Sequence, residues 1–108
     1  MTSREPMIER FWSMYVAQNP DTPARTVDGS AIVITPHDSK LHTLNQTATF
    51  IWDRADGSRT LADIAEELVT VFDVELEVLR REATEFVAAA VDKGMMLASA
   101  EPHPEAAS

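Results

Sequence analysis

The middle of the chain has the clearest pattern of apolar and polar positions. Four apolar residues recur there at the helical spacing i, i+3, i+4 and i+7, namely Ala48, Ile51, Trp52 and Ala55. Asn45 precedes this stripe and supplies a side-chain oxygen that can cap the first free N–H groups of a helix. Gly57 follows it, where a helix end favours a residue that tolerates positive φ. The pattern predicts one amphipathic helix that ends in a tight turn at Asp56-Gly57-Ser58.

Two further helices are predicted after this turn. Thr60, with Asp63 three residues later, forms a variant of the capping box and opens the second helix. The apolar face of the second helix consists of Leu61, Ile64, Ala65, Leu68 and Phe72. After a break at Asp73-Val74 the third helix runs to Gly94, and its apolar face consists of Leu76, Leu79, Ala83, Phe86, Val87 and Ala90.

The residues before these helices favour β-strands. Residues 24–35 place the turn dipeptide Asp28-Gly29 between two β-rich runs, which predicts a hairpin. A second turn over 36–39 leads into a third short strand, Lys40–Leu44, and residues 95–98 suit a terminal strand. The sequence therefore predicts an α+β fold of winged-helix type, with a three-stranded antiparallel sheet followed by three helices.

The N-terminal segment predicts an additional amphipathic helix. Its apolar face consists of Met7, Ile8, Phe11, Trp12, Tyr15 and Val16. Two prolines within residues 20–23 then predict a linker. The chain is thus divided into an arm (1–20), a domain (24–97) and a disordered tail (98–108). A free apolar face of this size is unusual, so we expect Phe11, Trp12 and Tyr15 to contact the chain's own core, a partner enzyme or a second copy. Exchange of arms between two copies is the preferred interpretation.

Length and composition limit the class of protein. With 108 residues and 44% hydrophobic residues, the chain can bury one core but not two. The absence of cysteine excludes disulfides, a thiol nucleophile and cysteine-ligated metal sites in this sequence. No run of 18 apolar residues and no signal-peptide pattern is present. We therefore expect a cytoplasmic protein with no membrane span.

Candidates for catalysis or metal binding are few. The histidines of the chain are His37, His42 and His103. A zinc site needs three or four convergent ligands with supporting contacts, so we interpret them as a turn, a strand and a tail residue. Asp53, Asp56 and Asp63 resemble paired carboxylates, but acids beside a turn glycine or in a first helical turn are favoured for structural reasons. We predict no catalytic residue, no metal and no cofactor.

Three pieces of the sequence resemble a known family. They are Leu44-Asn45-x-Thr47-Ala48-x-x-Ile51-Trp52, Asp56-Gly57-x-Arg59-Thr60-x-x-Asp63-Ile64-Ala65 and Lys93-Gly94-Met95-Met96-Leu97. In order and spacing they are similar to the PqqD-like family, the small peptide-binding proteins of pyrroloquinoline quinone biosynthesis, also described as recognition elements for ribosomally made, modified peptides. The resemblance covers roughly residues 24 to 97, and the first 20 residues lie outside it.

The resemblance implies a function and a site. Family members bind an extended leader peptide that adds to the edge of the third strand and faces the third helix. Here that strand consists of Lys40, Leu41, His42, Thr43 and Leu44. A second helical stripe of Thr84, Ala88 and Val91 is small enough to let a peptide backbone come close, or is ordinary helix surface. The implied protein is a non-catalytic peptide chaperone that presents a precursor's leader to a modifying enzyme, often a radical S-adenosylmethionine enzyme.

Two other classes of function are considered. One is a structural or regulatory interaction protein that acts through the aromatic N-terminal helix. The other is a winged-helix DNA-binding regulator. Residues 60–93, which would include a recognition helix, contain three basic and nine acidic residues, and the whole chain has a net charge of −9. Since phosphate contacts provide much of the affinity for DNA, this charge argues against nucleic-acid binding.

Overall fold

The computed structural model describes residues 9–35 and 38–102, which form two small sheets and three α-helices. The elements are a short 3₁₀ helix Arg10–Ser13, β1 Tyr15–Gln18, β2 Ala24–Val27, β3 Ser30–Ile34, β4 Leu41–Thr43, α1 Gln46–Arg54, β5 Asp56–Thr60, α2 Leu61–Val71, α3 Leu76–Asp92 and β6 Met96–Ser99. The predicted α+β class, with a three-stranded antiparallel sheet followed by helices, is confirmed. No helix in the described ranges is long and apolar enough to cross a membrane.

The predicted hairpin and third strand form the sheet β2-β3-β4. Asp28 and Gly29 connect β2 to β3 with φ values of 53° and 82°. Positive φ at both central residues is what the favoured two-residue hairpin turn requires. Antiparallel pairing then places His42 of β4 opposite Val33 of β3, whose side chain is fully buried. The hairpin therefore positions β4 at the edge of this sheet.

The helix boundaries also follow the predicted capping signals. The Asn45 side chain accepts a hydrogen bond from the Ala48 N–H at 2.8 Å at the start of α1. At the start of α2, the Thr60 hydroxyl accepts from the Asp63 N–H at 3.1 Å, and the Asp63 carboxylate accepts from the Thr60 N–H at 3.2 Å. The predicted apolar stripe of α1 is buried throughout. These caps fix where the helices that cover the sheet begin.

The sheet β5-β1-β6 was not predicted, and it corrects the N-terminal prediction. Tyr15 and Val16 do not continue a helix, because they belong to β1, the central strand of this sheet. β1 pairs antiparallel with β5 on one side and with β6 on the other, and Val16 and Ala17 are fully buried. Met7 and Ile8 lie outside the described residues. Strand pairing on both sides therefore overrides the helical spacing of the apolar residues.

The turn predicted at residues 56–58 is instead the beginning of β5. The register shifts between the pairs Tyr15–Thr60 and Ala17–Asp56, as in a β-bulge. Gly57 has a φ of 88°, so the predicted need for positive φ at this position is confirmed, but within a strand. The Asp56 carboxylate accepts hydrogen bonds from the hydroxyl and N–H of Ser58, which lower the pKa of Asp56.

The N-terminal segment packs against its own chain. Phe11 and Trp12 are half-buried against the core. The Arg80 guanidinium of α3 lies 5.1 Å from the centroid of the Trp12 ring and bonds to the Glu9 carboxylate at 2.9 Å. A second copy is therefore not needed to cover these aromatic rings. The exchanged dimer, including the role of Tyr15 in it, stays a prediction, and the mass of the full chain in solution is the measurement that tests it.

Residues 19–22 are tied to the domain by hydrogen bonds. The Asn19 N–H donates to the Met95 carbonyl at 2.9 Å, and the Asn19 side chain donates to the Gly94 carbonyl at 2.9 Å. The Thr22 hydroxyl donates to the same Gly94 carbonyl at 3.3 Å. The predicted linker therefore begins as a segment fixed to the turn between α3 and β6. Deletion of residues 1–20 would also remove β1, so it does not test assembly alone.

The third helix differs from its prediction at its first residue. Leu79, Ala83, Val87 and Ala90 are buried and Phe86 is half-buried, as predicted, but Leu76 is 49% exposed. The reason is that α3 begins at Leu76, and its first turn extends beyond the core. The predicted terminal strand is confirmed as β6, so Ala98 and Ser99 belong to the sheet and not to a tail. Residues 103–108 lie outside the described part of the chain.

Candidate functional site

Strand β4 has a single partner within the ranges 9–35 and 38–102, which is β3. Two backbone hydrogen bonds at its ends fix the pairing pattern. The Leu44 N–H donates to the Ala31 carbonyl at 2.8 Å, and the Lys40 carbonyl accepts from the Thr35 N–H at 3.0 Å. In an antiparallel pair, hydrogen-bonded and non-bonded residue pairs alternate. The bonded pairs of β4 therefore fall on residues 40, 42 and 44.

This alternation leaves backbone groups of β4 without a partner on β3. His42 uses its N–H and C=O toward Val33, so the N–H and C=O groups of Leu41 and Thr43 point away from β3. Such a row of free donors and acceptors can pair with another extended chain. The structure therefore gives β4 the geometry of an accessible sheet edge.

A cavity of about 220 Å³ lies between β4 and the C-terminal half of α3. We call it the β4–α3 groove, and its lining residues are His42, Thr43, Leu44, Phe86, Ala89, Ala90, Lys93 and Met95. Five of these eight side chains are apolar. The groove runs beside the accessible edge of β4, so an added strand would place its helix-facing side chains there.

The groove lies on one flank of α3. Phe86, Ala89 and Lys93 follow each other at i, i+3 and i+7 and face the groove. The predicted stripe of Thr84, Ala88 and Val91 does not line it. Thr84 is 3% exposed, and one turn before it Arg80 stacks on Trp12. That second flank therefore lies toward the N-terminal segment.

The predicted strand residues divide between the two faces of the sheet. His42 lies on the same face as buried Val33, toward the helices. Leu41 lies on the other face, opposite Ile34, and is 62% exposed. Lys40 is exposed directly before β4. The structure thus brings His42 and Leu44 together with α3. Thr43 borders the groove at the strand edge although it shares the face of Leu41, and Lys40 and Leu41 do not line the groove.

The turn that leads into β4 is held by Asp38. Its carboxylate accepts hydrogen bonds from the Thr35 hydroxyl and, at 3.1 Å, from the Lys40 N–H. The pKa of Asp38 lies below its usual range. The hydrogen bond from the Thr35 hydroxyl is the main cause, and the hydrogen bond from the Lys40 N–H is the second. Residues 36 and 37 of this turn are outside the described ranges. The charged form of Asp38 therefore helps to fix the start of β4.

Replacing Asp38 with Ala is expected to lower the melting temperature modestly at neutral pH. Because folding lowers the pKa of Asp38, its stabilisation is complete above the usual pKa and is lost as the pH falls through the folded-state pKa. The difference between wild type and Asp38→Ala should therefore close at acidic pH. Thermal melting across a pH series measures this, with Asp73→Ala, an exposed acid between α2 and α3, as the control. A difference that persists unchanged into strong acid would contradict this role.

A second cavity, also of about 220 Å³, lies away from β4. It is formed by the β2–β3 turn, α1 and the segment after α2, and its lining includes Phe50, Arg54 and Phe72. The Arg54 guanidinium lies 3.6 Å from the centroid of the Phe50 ring and also bonds to Glu67. Arg54 thus already has two partners. The β4–α3 groove is the stronger candidate because it combines a cavity with a strand edge.

The metal and catalytic candidates do not form a site in the described ranges. No group of three histidine or acidic side chains there is placed to hold a metal ion. His37 and His103 lie outside the described residues. Asp56 bonds to Ser58 and Asp63 caps α2, as structural residues do.

Comparisons with known proteins give the family and the fold. No curated protein matches the chain. The structure titled "TbiB1 in Complex with the TbiA(beta) Leader Peptide" is similar, with a TM-score of 0.65 and 12% identity over 74% of this chain and 93% of that one. "Lasso peptide synthetase B1 complexed with the leader peptide" gives a TM-score of 0.66 and 23% identity over 77% and 98%. At these identities the likeness establishes the fold. The profile of the family described as coenzyme PQQ synthesis protein D (PqqD) matches residues 30–96, and the chain therefore belongs to the PqqD family.

Proposed function

We propose that this chain is a peptide-binding accessory protein of the cytoplasm, with no catalytic residues of its own. It captures the leader segment of a ribosomally made precursor peptide and presents it to a modifying enzyme. The observation that carries the proposal is the accessible edge of β4 beside the β4–α3 groove. Family membership over residues 30–96, which include both walls of the groove, supports it.

Binding by strand addition uses both parts of the site. Leu41 and Thr43 offer two N–H and two C=O groups, hence up to four backbone hydrogen bonds. Each contributes about 0.5–1.5 kcal/mol net, or about 2–6 kcal/mol together. Ordering the peptide subtracts from this sum. The strand edge alone therefore does not give tight binding, and apolar side chains in the groove must provide the remainder and the specificity.

For the partner, we propose a peptide-modifying enzyme. The two structural relatives are complexes with leader peptides, and one is a component of a lasso peptide synthetase. The resemblance in the sequence instead suggests a radical S-adenosylmethionine enzyme. Both kinds of enzyme are consistent with a system in which this chain binds the leader and a separate enzyme catalyses the modification.

A calorimetric titration tests this function. The two titrants are the leader half and the core half of a precursor peptide encoded beside this chain. We expect the leader half to bind and the core half not to bind, with modest dependence on salt. Duplex DNA is the control, because DNA binding would fall steeply with added salt. Tight DNA binding without leader binding would contradict the proposal and favour the regulator class.

A further inference from the structure

A buried histidine nitrogen beside the groove has no partner. His42 lines the β4–α3 groove, and its Nε2 is shielded from solvent without a hydrogen bond to any residue that the structure describes. Buried polar groups in proteins are nearly always paired, because an unpaired one loses its hydrogen bonds to water without replacement. The Nε2 of His42 therefore has hydrogen-bonding capacity left for a bound group.

The groove also carries positive charge in an acidic chain. The net charge is −9, yet Lys93 lines the groove and Lys40, the only other lysine, directly precedes β4. Among the described residues neither lysine is in a salt bridge. The arginines that are paired elsewhere with acids are Arg54, Arg59 and Arg80. The cation in the groove is therefore available to a ligand.

The charge is distributed unevenly along the groove flank of α3. Glu82 and Glu85 lie on this flank, one turn before Phe86 and Ala89 respectively, whereas Lys93 lies at its C-terminal end. A negatively charged ligand group is repelled near Glu82 and Glu85 and attracted near Lys93. His42 faces the helices from β4 and lines the same cavity as Lys93. The favourable position for an anionic group is therefore the end between His42 and Lys93.

We propose that the β4–α3 groove selects peptides with an aspartate or glutamate side chain, which is held between His42 Nε2 and the Lys93 ammonium group. The inference rests on the proposed function, because only a strand added to β4 directs alternate side chains into the groove. His42 can donate through Nε2, and an ammonium group has donors and no acceptor. When Nε2 carries the imidazole proton, both groups are donors and require an acceptor, and a charged acceptor forms the stronger hydrogen bonds. A carboxylate meets both requirements better than an amide or hydroxyl.

A displayed library of random short peptides tests the inference, because selection from random sequences assumes no particular precursor. The library is selected in parallel on wild type, His42→Ala, Lys93→Gln and Arg81→Gln, the last being an exposed cation of α3 that does not line the groove. Lys93 is exposed, so its replacement leaves the core intact. We expect peptides enriched on wild type and Arg81→Gln to share an acid at one position among apolar residues. His42→Ala and Lys93→Gln should keep the apolar preference and lose the acidic one.

The affinity of one enriched peptide gives the second readout. Replacing its shared acid with the matching amide should weaken binding to wild type on the order of tenfold or more, and should have little effect on Lys93→Gln. Enrichment without a shared acid, or an acid preference that survives in both groove variants, overturns the inference and leaves peptide binding in place. If no peptide is enriched on wild type, the peptide-binding function is overturned, and the inference with it.

Discussion

Replacing Thr43 with proline is expected to weaken leader binding on the order of tenfold or more while the chain stays folded. The Thr43 N–H points away from β3, so proline removes a donor that strand addition would use and no bond of the sheet. Proline is tolerated on an edge strand when its missing N–H faces solvent. Its ring also fills space at the edge where the peptide backbone would lie. Calorimetric titration and thermal melting of the same sample measure both effects.

Two substitutions control this experiment. Thr43→Val keeps the N–H and the β-branched shape and should bind almost as wild type does. His42→Pro removes an N–H that bonds to Val33, so it should lower the melting temperature strongly. A folded Thr43→Pro variant with unchanged affinity would place the peptide elsewhere.

The second large effect is expected from Ala89→Glu in α3. Ala89 is exposed and lines the β4–α3 groove, so a glutamate there fills the groove with a longer, charged side chain. We expect loss of leader binding by at least about tenfold, because the apolar contacts and the close approach of the peptide are both lost. Stability should change little, since the position is exposed. Peptide titration of the folded variant is the measurement.

Ala88→Glu is the matched control, because it makes the same change one residue away. Ala88 belongs to the stripe predicted from the sequence, but it does not line the groove. If the groove binds the leader, Ala88→Glu should keep most of the affinity. If Ala88→Glu abolishes binding and Ala89→Glu does not, the predicted stripe of Thr84, Ala88 and Val91 is the true wall.

Local signals in the sequence predicted much of the fold. The hairpin turn Asp28-Gly29, the Asn45 cap and the Thr60–Asp63 capping box each act within a few residues, and the structure contains all three. β1 could not be predicted in this way. Its residues fit a helical spacing as well as a strand, and its partner β5 is a polar segment without alternating apolar residues. Only contacts between distant segments decide between the two conformations.

The candidate site was predicted in part. A short strand after a hairpin indicated the edge β4, which the sheet order confirms. The flank of α3 that faces it was not determined, since both flanks contain small residues. In the structure, the N-terminal segment distinguishes the two flanks, because it places Trp12 against Arg80 on the flank of α3 away from the groove. In the sequence, the flank that faces β4 could have been identified from Phe86, an aromatic residue at the margin of the buried stripe that lies on the same flank as Lys93.

Amide hydrogen exchange, followed residue by residue with NMR, tests strand addition at β4 most directly. In the free chain the His42 N–H bonds to Val33 and should exchange slowly, whereas the outward N–H groups of Leu41 and Thr43 should exchange fast. With saturating leader peptide, we predict that exchange at Leu41 and Thr43 slows strongly while that at His42 changes little. If the peptide binds and Leu41 and Thr43 still exchange as in the free chain, the peptide does not add as a strand at this edge.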